Sequence, residues 1–91
     1  MEKELMETLQ RIARRYDKNE DLSMYVKNGR GMWVDKINQL VKFNHILSQN
    51  EAMCIVDEIV LAFRECGYEA HCVNQQQLSQ ILFEYTISYK K

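Results

Sequence analysis

The sequence predicts a small α+β domain, and three observations carry this prediction. An N-terminal segment and a longer central segment both show the apolar spacing of amphipathic helices, and a C-terminal segment alternates apolar and polar residues as strands do. We therefore expect an N-terminal amphipathic helix and a central helix at about 49–66, packed on a three-stranded sheet at about 40–46, 68–73 and 81–89. The alternative is a mostly helical bundle with a C-terminal β-hairpin.

The sequence has an N-terminal capping signal and a C-terminal glycine that mark the two ends of the central helix. Ser48 and Glu51 fit a capping box, in which the serine oxygen accepts from the backbone N–H three residues on. Gly67 follows the last helical position, where the backbone often turns left-handed and favours a residue without Cβ. The apolar positions between them cover about half of the helix circumference: Ala52, Met53, Ile55, Val56, Ile59, Val60, Ala62, Phe63 and Cys66. So wide an apolar face indicates a helix lying across a sheet or in a cleft between helices.

Two apolar residues depart from this pattern. Cys54 and Leu61 lie together on the charged half of the central helix. They predict either a second packing contact with the N-terminal helix or part of an exposed stripe that binds a partner.

Residues 2–17 predict the N-terminal helix. Its narrow apolar stripe consists of Leu5, Leu9, Ile12 and Tyr16, flanked by Met6 and Ala13. Basic residues on the opposite side could neutralise a nucleic-acid backbone, which gives an alternative function as a nucleic-acid-binding protein. These candidate contacts are Arg11, Arg14, Arg15 and Lys18.

The segment 19–46 is ambiguous between helix and strand. Residues 19–31 fit a short helix at about 20–28, or a hairpin that turns on Asn28-Gly29. Residues 32–47 fit a helix or a strand at about 40–46. The strand is favoured because strand, capped helix, glycine and strand is the order of a crossover unit.

The C-terminal third predicts two strands and a connection. Residues 74–79, with three consecutive glutamines, resemble a polar connection, and 81–89 alternate as a half-buried strand that pairs antiparallel with 68–73. The apolar side of this last strand consists of Phe83, Tyr85, Ile87 and Tyr89.

Length and composition limit the class of protein. Ninety-one residues predict a single domain at 1–91, and a net charge of −1 gives no global attraction to nucleic acid or to an anionic membrane. We expect no transmembrane helix, because no apolar stretch approaches the length that spans a bilayer. The first residues lack the pattern of a signal peptide, and the three cysteines are an odd number. These features predict a cytoplasmic protein with reduced thiols.

The sequence gives little support for catalysis. Cys66, His71 and Cys72 do not have a common zinc spacing, and adjacent residues of a strand point to opposite faces. Too few glycines are present for a dinucleotide-binding fingerprint. We therefore expect no enzyme activity, no metal site and no cofactor.

The sequence instead favours a non-enzymatic protein–protein interaction domain. It would be an adaptor or inhibitor that docks on a partner protein or self-associates, for example as a homodimer. A small single domain would also suit the accessory proteins of phages and mobile elements. Aromatic residues and arginine usually supply the strongest interface contacts, and exposed apolar groups mark interfaces. The candidate contacts are Tyr25, Arg30, Trp33, Cys54, Leu61 and Tyr85.

Overall fold

Two helices and a four-stranded antiparallel sheet make up the part of the chain that the computed structural model describes, residues 2–17, 22–23, 30–46 and 48–91. In chain order the elements are α1 (Lys3–Asp17), β1 (Gly31–Asp35), β2 (Leu40–His45), α2 (Gln49–Glu65), β3 (Glu69–Gln77) and β4 (Phe83–Lys90). The α+β class is confirmed, but the sheet has four strands where the sequence predicted three. The predicted alternative, a helical bundle, is wrong.

The capping signals place both ends of α2 within one residue of the prediction. The Glu51 N–H donates to Ser48 Oγ at 3.3 Å. At the other end, Gly67 has a left-handed φ of 86°. The N–H groups of Gly67 and Tyr68 donate to Arg64 and Phe63 carbonyls, each at 3.0 Å. This pair of bonds is a Schellman motif, and the Phe63 and Tyr68 rings make the apolar contact that accompanies it, with centroids 5.7 Å apart.

Residues 31–45 form a β-hairpin, so the helical interpretation of 32–47 is wrong. β1 pairs antiparallel with β2, from Gly31 opposite Asn44 to Asp35 opposite Leu40. The predicted strand at 40–46 is confirmed as β2, and β1 was not predicted. The helix at 20–28 and the turn at Asn28-Gly29 lie outside the described residues.

β3 is longer than predicted, and it includes the glutamines. The connection predicted at 74–79 is wrong for 74–77, which pair with β4 up to Gln77 opposite Phe83. A bulge interrupts this ladder between Cys72 and Asn74. The antiparallel pairing of the two C-terminal strands is confirmed.

The strand order in the sheet is β1-β2-β4-β3. β2 and β3 both run antiparallel to β4, so they run parallel to each other. The chain from β2 through α2 to β3 is thus the crossover that the order of elements predicted, with β4 inserted between its two strands.

Both helices contribute to one core on one face of the sheet. Leu5, Leu9 and Ile12 of α1 are buried, and the side chain of Tyr16 lies outside the described part. On the sheet, Phe43 is opposite Tyr85 and Val41 is opposite Ile87. The core residues of α2 are Ala52, Ile55, Val56, Ile59, Ala62 and Phe63.

β4 is an inner strand and is buried along both sides. Glu84 and Thr86 alternate with the core residues, yet they are 4% and 7% exposed. The prediction of a strand with one solvated side is therefore wrong at these two positions. The Lys42 ammonium on β2 lies 3.7 Å from the Glu84 carboxylate and offsets part of the cost of burying this charge.

Neither α1 nor α2 has the length and apolar character needed to cross a membrane.

Candidate functional site

The predicted contact residues do not form one surface. Tyr85 is 2% exposed and lies in the core, because β4 is an inner strand and the helices cover this face. Cys54 and Leu61 are exposed on α2, Arg30 is exposed just before β1, and Trp33 is half-buried on β1. Tyr25 lies outside the described residues.

One cleft lies between α1 and α2, with a volume of about 260 Å³. Leu61 lines it and is 55% exposed, so this side chain is not enclosed by the contact between the helices. The cleft has charges of both signs. Arg15 Nη2 lies 2.6 Å from Glu58 Oε2, and Arg11 and Glu65 also line the walls.

These charges bear on the predicted nucleic-acid contacts. Arg11, Arg14 and Arg15 are exposed on α1, as the helical spacing predicted. Glu58 and Glu65 lie beside Arg11 and Arg15 in the cleft, so the described surface carries no uniformly basic patch there. Lys18 lies outside the described residues.

A second cleft, which we call the β1 groove, runs along the edge of the sheet. It has a volume of about 340 Å³. Its lining comes from α1, residues 22–23, β1 and the β1–β2 turn: Met6, Leu22, Ser23, Trp33, Val34, Asp35, Lys36 and Ile37. Most of this lining is apolar, with one charge of each sign at Asp35 and Lys36.

Hydrogen bonds fix the walls of the β1 groove. The Val34 N–H donates to the Leu22 carbonyl at 2.8 Å, which holds residue 22 against the edge strand. The Trp33 indole N–H donates to the Ser23 carbonyl at 3.1 Å, which orients the ring. These two bonds hold the walls of the β1 groove in place within the chain itself.

Ile37 stands at the rim of the β1 groove and is 93% exposed. The turn that carries it is tightly bonded. Asp35 Oδ1 accepts from the N–H groups of Ile37 and Asn38, each at 3.1 Å, and the Asn38 side-chain amide donates to Asp35 Oδ2 at 2.8 Å. Gln39 closes the turn with a left-handed φ of 55°. These bonds fix the backbone of the turn, and the Ile37 side chain, which takes part in none of them, is left exposed to solvent.

Comparisons with protein families, curated proteins and solved structures found no match.

The same turn stabilises the charged form of Asp35 at the groove. Hydrogen bonds from the side chain and the backbone N–H of Asn38, with a smaller contribution from the Ile37 N–H, lower the pKa of Asp35 below its ordinary value. Asp35 is therefore a carboxylate at neutral pH, beside Lys36 at the rim.

The sequence suggested Trp33 as a contact but not Ile37. Only the helical alternative for 32–47, in which residues three or four apart share a face, would have placed the two side chains together. A signal for the turn was present: Asp35 and Asn38 are residue types that bond locally to the backbone in turns, between two apolar stretches. If this segment is assigned as a turn, Ile37 lies on the surface and its side chain is expected to be exposed.

The cysteines and histidines do not converge on a reactive centre. His71 is exposed, whereas Cys72 is half-buried on the opposite side of β3. Burial raises the pKa of the Cys66 thiol, and the carboxylates of Glu2 and Glu4 raise it further. The nucleophilic thiolate is therefore disfavoured at Cys66. Among the described residues, no three His, Cys, Asp or Glu side chains are placed to hold a metal ion.

Proposed function

We propose that this chain is a non-enzymatic protein-interaction domain, an adaptor or inhibitor, that docks on a partner protein through the β1 groove. The observation that carries the proposal is the isoleucine held 93% exposed at the rim of a preformed apolar groove. Single exposed aliphatic residues are common, but an exposed one beside a half-buried tryptophan and an apolar groove forms a continuous patch.

The expected partner presents apolar side chains to this groove. Trp33 supplies a large ring whose orientation is already fixed by its bond to Ser23. Such a ring loses little conformational entropy on binding, which is why tryptophan often dominates interface energies. Asp35 and Lys36 at the rim can pair with either sign of charge and would contribute more to orientation than to affinity.

Among the residues of the β1–β2 turn, Ile37 would contribute most to the binding free energy when a partner buries it. Moving an isoleucine from water to an apolar contact contributes about 1.5–3 kcal/mol. In the free protein this energy is almost entirely unrealised, because the side chain is 93% exposed.

Site-specific photo-crosslinking tests the proposal in cells that naturally contain the protein. A photoreactive amino acid replaces Ile37 in one variant and Ile81 in a matched control, since Ile81 is also an exposed isoleucine in a turn, at 60% exposure. We expect a discrete adduct with another protein from position 37 and none of the same mass from position 81. Identical adduct patterns from the two positions, or no adduct from position 37, would contradict the proposal.

A further inference from the structure

The outer edge of β3 is a second surface with unused bonding capacity. β3 is the last strand in the order β1-β2-β4-β3, so only its inner side pairs with a neighbour. An antiparallel strand directs the N–H and C=O of every second residue away from that neighbour. Across the described ranges, no other segment makes backbone hydrogen bonds to this outer side.

Two hydrogen bonds show which residues face outward. The Tyr89 N–H donates to the Gln39 carbonyl at 3.0 Å, on the β2 side of β4. By alternation, Glu84 and Thr86 direct their backbone groups to β3, where they meet Gln76 and Asn74. The Leu78 N–H, which donates to the Leu82 carbonyl at 2.8 Å, continues the same alternation. The backbone groups of Gln75 and Gln77 therefore face outward.

The usual protection of an edge strand is weak here. Edge strands commonly carry proline, lysine or inward charges, or are very short. β3 has nine residues, and from Ala70 to Gln77 it contains no proline and no Asp, Glu, Lys or Arg. The first part of the edge is blunted, because the Arg64 guanidinium donates to the Ala70 carbonyl at 3.1 Å and a bulge follows Cys72. The stretch after the bulge, 73–77, is left open.

We propose that this stretch of β3 pairs antiparallel with the same stretch of a second copy of the chain, about a two-fold axis at Gln75. Gln75 then bonds its counterpart, and Val73 lies opposite Gln77 of the copy. The two sheets join into one sheet of eight strands.

The side chains favour a second copy as the occupant. The stretch Asn74–Gln77 consists of primary amides, each of which both donates and accepts, so identical strands complement each other. Gln75 Nε2 already donates to Met53 Sδ at 3.3 Å and Gln77 Nε2 to the Gln80 carbonyl at 3.4 Å, but each of these amides keeps a second N–H and its oxygen. Charge does not oppose the pairing. Glu69 lies six residues from the axis, so its two copies are roughly 40 Å apart at about 3.4 Å per residue, far beyond the screening length of about 8–10 Å.

The dimer leaves the proposed docking site open. β1 and β3 are at opposite edges of the sheet, so the two β1 grooves lie at the far ends of the joined sheet. Self-association through β3 and docking through the β1 groove are therefore separate properties, and either can fail alone. An interface of one strand falls in the size class of weak associations, so we expect a reversible, concentration-dependent dimer.

The first test is sedimentation equilibrium, which measures the molecular mass of the full chain from micromolar concentrations to about 1 mM, the range in which a weak dimer forms. We expect the mass to rise from 10.9 kDa towards twice that value. Amide hydrogen exchange at low and high protein concentration is the second readout, with slower exchange expected at Gln75 and Gln77 in the concentrated sample. A mass that stays at that of one chain over the whole range would overturn the proposal.

The variant Gln75→Lys places two like charges across the axis and should weaken the dimer at least tenfold. Gln80→Lys is the matched control, because this substitution makes the same change of charge at an exposed position in the β3–β4 turn. The control should dimerise like the wild type. A dimer that Gln75→Lys leaves intact, or that both variants weaken equally, would show that another surface joins the copies. Circular dichroism of each variant establishes that the fold is retained.

Discussion

Gly67 provides a direct measure of how the end of α2 is built. Its φ of 86° is left-handed, and a Cβ added there would meet nothing within 4 Å. Gly67→Ala therefore introduces backbone strain without a steric clash. The left-handed conformation costs an L-residue about 1–2 kcal/mol, and the loss of freedom in the unfolded chain offsets about 0.4–1 kcal/mol of this.

We expect Gly67→Ala to lower the free energy of unfolding by about 1 kcal/mol, from the difference of these two terms. For a domain of this size that corresponds to a Tm lower by about 4–8 °C. The assay is urea unfolding followed by circular dichroism, with thermal unfolding in parallel.

A D-alanine at position 67, introduced by chemical synthesis, is the sharp control. Its methyl group replaces the other hydrogen of Cα and the residue favours positive φ, so we expect it to leave the protein more stable than L-alanine does. If L-alanine leaves the free energy of unfolding unchanged, the left-handed Schellman ending is refuted.

Further predictions separate core from surface and test the turn. Ile59→Ala should lower the free energy of unfolding by about 2–5 kcal/mol in urea titrations, because Ile59 is fully buried. Leu61 lies two positions after Ile59 in α2 but is 55% exposed, so Leu61→Lys should change the free energy of unfolding by no more than about 0.5 kcal/mol; a loss as large as that of Ile59→Ala would place Leu61 in the core. Arg15→Ala should cost at most about 1 kcal/mol, since its bond to Glu58 is exposed, and added salt should shrink the difference. Carboxyl NMR titration should find the pKa of Asp35 below its ordinary value, and Asn38→Ala should move it back. The contribution of this carboxylate to stability is complete above the pKa of an unfolded aspartate and is lost as pH falls through the lowered folded-state pKa; an Asn38→Ala variant with an unchanged Asp35 pKa would contradict this account of the turn.

Local signals were sufficient for α2. The side chain of Ser48 and the missing Cβ of Gly67 act within one turn of the helix, so the sequence alone predicts both ends. The apolar stripe of α1 was equally readable, because Leu5, Leu9 and Ile12 repeat at helical spacing.

The strands that were missed or shortened depend on partners far along the chain. Met32 and Val34 of β1 alternate over only five residues, and the same spacing fits a helix until β2 pairs with it. The glutamines of β3 have no strong strand preference, and their extended backbone is fixed by β4 across the sheet.

The candidate site was readable only in part. Tyr85 was placed on the apolar side of a half-buried strand, and its burial agrees with that placement. The burial of Glu84 and Thr86 on the other side could not be predicted, because no local pattern distinguishes an inner strand from an edge strand. Ile37 depended on recognising the Asp35 turn. Trp33 was proposed as a contact from its residue type, and its place in the groove follows from its bond to the Ser23 carbonyl.

The claim that the β1 groove is the docking surface is tested most directly by quantitative affinity capture with three forms of the protein: wild type, Ile37→Asp and Ile81→Asp. Both substitutions replace an exposed isoleucine by the same carboxylate. We predict a partner that wild type and Ile81→Asp retain equally and that Ile37→Asp retains at least tenfold less well, which corresponds to about 1.4 kcal/mol. A partner retained equally by all three forms would contradict the assignment of docking to this groove.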